Sequence, residues 1–440
     1  MKQPPDVRRA PERGTPDRTS LDRAARITVI LLFAAWVVDY IDRLAINLAL
    51  PSIGAEFDLG HTEQGMVISA FFLSYALCQI PGGLLADRFG SRRVVCWSLL
   101  IWSLFTALTG TAWAFVVLLA IRFVFGVGQG VFPAAAMKAV AERTVPHQRM
   151  TATGWAQSSN AFGAVLAPLI AAPIIALWGW RMSFFAVAGL GVLVWAAIQL
   201  WLPAALPQSA DTSPRPDGSD AQGGLRTVLA SWVMWRFTLM FFGYGIIVWG
   251  LNSWIPSYLQ TVRGISLTGS GLLSAIPALV GGGAIIAGGK LIDRLGGRHR
   301  LIVFPAMTVC AVCILFLNRV TSLAEFVALL SLATASATLC YMPIFAIPLR
   351  TLPGALVGTG SGMINLGGQA AGFITPMVMG ALVDRYSYTA AFAFLVVGAV
   401  VAGAFALGTP QRSGTFSAAL SRRGPQRQPD PAPTASTEIR

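Results

Sequence analysis

The sequence predicts an all-α membrane protein: twelve transmembrane helices in two pseudo-symmetric six-helix bundles. Three observations predict it. Only 12% of the 440 residues are charged and mean hydropathy is +0.65, whereas a soluble domain carries about 25% charged residues. Apolar runs of about 20 residues, long enough to cross a bilayer, recur along the chain. A ten-residue pattern is repeated at matching points of the two halves.

In chain order, residues 1–26 read as a disordered, basic tail. Spans follow near 27–50, 64–84, 94–112, 114–137, 151–176 and 182–201. The first is not followed by a cleavage-like site, so no secretory signal peptide is expected. The domains predicted are thus a bundle over 27–202, a flexible linker over 203–230 containing "PAALPQSADTSPRPDGSDAQGG", a second bundle over 231–408 and a disordered tail over 409–440. The second set of spans lies near 231–260, 268–289, 301–318, 322–348, 354–383 and 388–408.

Twelve spans put both termini on one side. That side holds 25 of the 32 Lys and Arg, and the other holds Arg181, Arg263, Arg319 and Arg385. The positive-inside rule makes the termini cytoplasmic in a bacterial inner (plasma) membrane. The net charge of +13 therefore reports orientation, with the bilayer as partner and no nucleic acid. A basic tail touching anionic lipid is a secondary reading. All five cysteines fall within spans, and Cys310-x-x-Cys313 reads as small residues on a helix face. None of the three histidines lies in a predicted span. That argues against metal, haem or a membrane enzyme, which would need a ligand set or a nucleophile with its base.

The repeated pattern is "GLLADRFGSRR" (83–93) and "GKLIDRLGGRHR" (289–300), both G-x-x-x-D-R-x-G-x-R. Gly83, Asp87, Arg88, Gly90 and Arg92, echoed by Asp293 and Arg294, form a candidate gating motif. Its glycines suit tight turns, and its aspartates suit a neighbouring helix N-terminus. With this motif between spans 2 and 3, and again between spans 8 and 9, the chain resembles the major facilitator superfamily of secondary transporters over about 27–408. The resemblance implies a midplane site that opens to alternate sides.

Charges inside the spans mark the site. Each costs roughly 2.5–3.5 kcal/mol to insert and so faces an interior or a wet cavity. At 100° per residue Trp36, Asp39, Tyr40, Arg43 and Asn47 share one face of span 1. Asp39 and Arg43, at i,i+4, can pair, and Asp42 points to the other side. In span 4, Arg122, Gly126, Gln129 and Pro133 share a face with no acid nearby in sequence. Arg122 therefore pairs with Asp39 or Asp42 of another helix, or is free to hold a carboxylate bidentately; both can hold at different stages of a cycle. The only acidic residues deep in a span, Asp39 and Asp42, are the candidate proton carriers.

"YIDRLAINLALP" (40–51), "SAFFLSYALCQIPGGLLADRFGSRR" (69–93), "IRFVFGVGQGVFPA" (121–134), "WIPSYLQTVRGISLTGSGLLSAIPALVGG" (254–282) and "GMINLGGQAAGFITPMVMGALVD" (362–384) are similar to the anion:cation symporter group. That resemblance implies import of a small organic anion, such as a sugar acid, aromatic acid or dicarboxylate, usually with protons and without a cofactor. It implies substrate contacts at Tyr40, Arg43, Tyr75, Arg122 and Asn365, with Asn252 a looser match. Gln129, a further expected hydrogen-bonding contact to the substrate, stands where the group commonly has a titratable glutamate, so coupling rests on Asp42 with or without Asp39. Fewer protons, sodium or an exchanged anion are the alternatives. The expected importer is monomeric. Trp36, Phe71, Trp249, Trp254 and Tyr258 join Tyr75 as candidate aromatic lining. The competing reading is a drug or metabolite efflux antiporter. It rests on Gly154, Gly163 and Pro168 in "GWAQSSNAFGAVLAPLIAA", where Ala167, Ala171 and Ala172 replace that pattern's glycines.

Overall fold

The computed structural model describes residues 22–206, 228–352 and 354–421. The predicted N-terminal tail up to residue 21, most of the linker and the chain beyond 421 lie outside the described residues. The first half holds α1 (Arg23–Phe57), α2 (His61–Phe89), α3 (Ser91–Thr109), α4 (Phe115–Arg143) and α5 (Pro146–Trp201). The second holds α6 (Trp232–Thr261), α7 (Leu267–Arg294), α8 (Arg300–Leu317), α9 (Leu323–Leu339), α10 (Tyr341–Thr351), α11 (Gly354–Arg385) and α12 (Tyr388–Gly408), followed by α13 (Ser413–Ser421).

Twelve crossings result because α5 supplies two and α9 with α10 supply one. Within α5, Gly179 has φ 81°, a value that suits glycine alone. The chain turns back there: Arg181 bonds the Ala112 carbonyl at 2.9 Å, and Arg92 bonds the Gln199 carbonyl at 2.6 Å, so the second arm of α5 runs beside α3. Between α9 and α10, Pro343 lacks the N–H that would bond the Leu339 carbonyl. That carbonyl projects onto α7, 2.1 Å from where a Cβ on Gly288 would sit.

The halves repeat one packing scheme. α1 lies on the first arm of α5, α2 on α4, and α3 on α4 and the second arm of α5. Correspondingly, α6 lies on α11, α7 on α9, and α8 on α9 and α12. Each half encloses its own apolar core. Large side chains such as Ile80, Trp113, Leu177 and Leu200 face outward. Such a coat is stable only against lipid, and helices satisfy their backbone polar groups internally, as the hydrocarbon core demands.

The halves meet through α2 with α11 and α5 with α7, with α1 against α6. They close at the end opposite the termini, the far end. A Cβ on Gly65 would lie 2.4 Å from the Pro376 carbonyl, and one on Gly271 2.6 Å from the Ala172 Cβ. Toward the termini end, Gly154, Gly358 and Gly362 meet nothing within 4 Å. The structure is thus shut at the far end and open at the termini end. One expectation is corrected: part of the tail from 409 is ordered. α13 docks with Phe416 fully buried, 5.9 Å from the Phe237 ring.

Candidate substrate and coupling site

Two charged clusters lie in the first half, on opposite faces of α1. The inner one faces the second half. Arg43 Nη2 donates to Asp39 Oδ2 at 3.0 Å, the i,i+4 geometry expected. The guanidinium sits over the rings of Tyr75 (4.7 Å), Tyr40 (5.0 Å) and Phe71 (5.2 Å). Aromatic faces stabilise a desolvated cation through their quadrupoles. Across the interface α6 and α10 contribute Tyr244 and Tyr341, 5.8 Å apart, both electrostatic neighbours of Tyr40. Arg43 Nε and Asp39 Oδ1 are buried and unpaired. An arginine with donors to spare, ringed by tyrosines where two movable halves meet, suits a small anion.

The outer cluster lies inside the first half. Thr106 Oγ1 donates to Asp42 Oδ2. Arg122 lies over the rings of Phe184 (4.8 Å) and Phe125 (5.0 Å), and Asp42 is the carboxylate that acts on it. Asp42 and Arg122 are each 1% exposed, among α1, α3, α4 and the second arm of α5. Their separation exceeds ion-pair distance, and Arg122 Nε and Nη2 remain unpartnered. Arg43 and Arg122, both expected to contact substrate, thus lie in separate clusters on opposite faces of α1. α4 turns Arg122 away from the inter-half surface toward Phe184, so it faces Asp42 instead.

Gln129 lies behind the inner cluster, its Nε2 donating to the Asp39 carbonyl at 3.3 Å. Asn47 Nδ2 crosses between halves to the Asn252 carbonyl at 3.0 Å. Asn252 also lines a crevice with Ser274 and Thr334. Asn365 is half-buried, with no hydrogen-bond partner among the described residues. Among the proposed lining residues, Phe71 touches Arg43, and Trp249 meets Phe72 at 4.6 Å across the halves. Trp36 instead packs on Phe132, and Trp254 and Tyr258 belong to the far end near His61 and Tyr388.

The gating motif is paired within each half. Lys138 of α4 bonds Asp87 at 2.6 Å, and Arg350 of α10 bonds Asp293. This corrects the expectation that these aspartates cap a neighbouring helix N-terminus. Gly90 makes the turn after α2 with φ 86°, whereas Gly83 lies within α2. Arg88 lies over the Phe89 ring and Arg294 is exposed. Sequence reasoning did not single out Tyr244, Tyr341 or Thr106. One signal pointed to the tyrosines: tyrosine is rare, with 7 in the chain.

Two six-helix halves around a charged centre, closed at one end, define a membrane transporter that exposes its centre to one side at a time. The sequence profile of the Major Facilitator Superfamily matches residues 31–376, and the chain belongs to that family. It is 28% identical to the hexuronate transporter of Bacillus subtilis (strain 168), over 84% of this chain and 90% of that one. It is 33% identical to a "Probable sulfoacetate transporter" of Cupriavidus necator, over 83% and 89%. A "Probable galactarate/D-glucarate transporter" of Escherichia coli (strain K12) is 30% identical, over 86% and 92%. In fold the chain is similar to an inward-facing, unoccupied bacterial homologue of the human lysosomal transporter Spinster: TM-score 0.77, 19% identity, 91% of this chain and 99% of that one. It is likewise similar to a D-xylose-proton symporter: TM-score 0.75, 16% identity, 88% and 98%.

Proposed function

We propose that the protein imports a small organic anion, a carboxylate or sulfonate such as a sugar acid, by alternating access coupled to protons. It works as a monomer in a bacterial inner membrane with both termini cytoplasmic. The observation that carries the reading is Arg43, half-satisfied by Asp39 within its tyrosine ring. The relatives named above are transporters of sulfonate and sugar-acid anions. The excess of Lys and Arg at the termini end supports the orientation.

The chemistry is an exchange of partners. An incoming carboxylate takes the free donors of Arg43 and competes with Asp39 for the rest. Asp39, losing its cation in a dry site, is then neutralised by a proton. Asp42 and Arg122, acting on each other at more than ion-pair distance, lie one layer behind. Gln129 itself carries no proton.

The helix-5 pattern behind the efflux reading is accounted for by packing. A Cβ on Gly163 would lie 2.4 Å from that of Tyr40, and Ala172 and Pro168 abut Gly271. Small residues permit such close approaches.

The test is uptake into proteoliposomes across sugar acids, aromatic acids, dicarboxylates, sulfonates and cationic drugs, with and without an inward proton gradient. Gradient-driven accumulation of one anion class, abolished in Arg43→Ala, is expected. In Asp39→Asn, binding should persist while the gradient no longer drives accumulation. Transport of cations alone, or full activity of Arg43→Ala, would overturn the proposal.

A further inference from the structure

A groove of about 320 Å³ opens on the outside of the first half, between α3 and the second arm of α5, at the termini end. Its upper rim is Arg92 and Arg93, in the first turn of α3. Trp97 and Trp195 form its walls, with Leu100 below. Arg92 is fixed by its bond to the Gln199 carbonyl. Arg93 is exposed and has no hydrogen bond or ion pair among the described residues. Glu142, which bonds Ser91 beside this rim, is also held by Arg143 and Lys138. Trp97 is 64% exposed. An indole one turn below a guanidinium, on a lipid-facing helix, marks the boundary between headgroups and acyl chains.

We propose that this groove binds one anionic phospholipid, with Arg92 and Arg93 holding the phosphodiester and Trp97 and Trp195 packing on the glycerol and first acyl carbons. The inference rests on the orientation above, which puts the groove in the cytoplasmic leaflet, where anionic headgroups attract basic side chains. Charge and shape agree. Two guanidinium forks match a phosphate bidentately, and the floor beneath them is apolar and open to the bilayer. A free phosphate would gain the arginines but leave the indoles unfilled.

The test is native mass spectrometry of the full chain in neutral detergent, titrated with phosphatidylglycerol or phosphatidylcholine. Phosphatidylglycerol should be retained with at least tenfold preference. Arg93→Ala and Trp97→Ala should each remove most of that preference, Arg93→Lys should keep part of it, and Arg298→Ala, at an exposed base on the other half, should leave it intact. Millimolar inorganic phosphate should not displace the lipid. Equal retention of the two lipids, or an unchanged preference in both Arg93→Ala and Trp97→Ala, would overturn the site. So would equal loss in Arg298→Ala, which means diffuse attraction, or displacement by phosphate, which means a soluble-anion site. Failure to bind either lipid would also overturn it. None of these outcomes depends on transport, so the site and the proposed function fail separately.

Discussion

Asp384 should hold the far end shut. The N-cap of α2 is Gly60, which has no side chain to satisfy the first N–H groups. The other half supplies the missing cap. Asp384, at the end of α11, accepts from His61 N at 2.9 Å, Thr62 N at 2.8 Å and Thr62 Oγ1 at 2.6 Å, with His61 Nδ1 at 2.7 Å. A cap of this kind is worth about 1 kcal/mol. A half-exposed pairing with histidine adds under about 1 kcal/mol after solvent screening. Asp384→Ala should therefore move the balance toward the state open at the far end by about 2 kcal/mol, roughly 30-fold. Spin labels at Thr111 and Arg319, exposed far-end positions on opposite halves, read this as a longer-distance population in pulsed dipolar spectroscopy. Thr62→Ala, which removes one of the four contacts, should move the same population less. An unchanged distance distribution in folded Asp384→Ala would refute the argument, because the closure would then rest on the other contacts between the halves.

Removal of Arg122 should damage the fold as well as transport. Arg122→Ala leaves Asp42 buried without its countercharge, and thermal melts should show about 3 kcal/mol of destabilisation, partly recovered in the Asp42→Asn background. Arg43→Ala leaves the buried Asp39 carboxylate without its partner, and ligand-induced thermal shifts should vanish. His299 gives a pH test outside the membrane. Burial pushes its imidazole down to about 4 from the usual 6.5, where its Nε2 contacts Thr409 Oγ1 at 2.6 Å. The unfolded chain takes up the proton first as pH falls. Stability is thus full above about pH 6.5 and is lost progressively down to about pH 4. Docking of α13, followed by hydrogen exchange around Phe416, should loosen over that window, and His299→Gln should flatten the dependence.

Much of this architecture is legible in the sequence for simple reasons. Crossing a bilayer needs long apolar runs, so hydropathy finds the spans. The repeated loop motif finds the two halves. Helical geometry alone pairs Asp39 with Arg43. It also turns Asp42 away, which is why that carboxylate reaches α3. The rotation of α4 about its axis is set by Gly126 and Gly130 packing on α2, with a Cβ on each 2.5 Å from the Phe71 or Tyr75 carbonyl. Periodicity within α4 cannot say which neighbour each face meets, so the placement of Arg122 was not legible. Tyr244 and Tyr341 carry no charge to announce them. The order in α13 was hidden by a composition that reads as tail, since a single phenylalanine anchors it. The trans cap by Asp384 joins residues more than three hundred apart and exists only in a closed state.

The short joints of the far end have a practical consequence. Gly179 alone turns one helix into the next, and Tyr386 and Ser387 alone join α11 to α12. The other joints of that face are no longer than five residues, so it offers a protease or an antibody only short loops. Affinity reagents raised against the intact protein should gather on the opposite face, where α13 lies. A fiducial for imaging, or an inserted epitope, belongs there too.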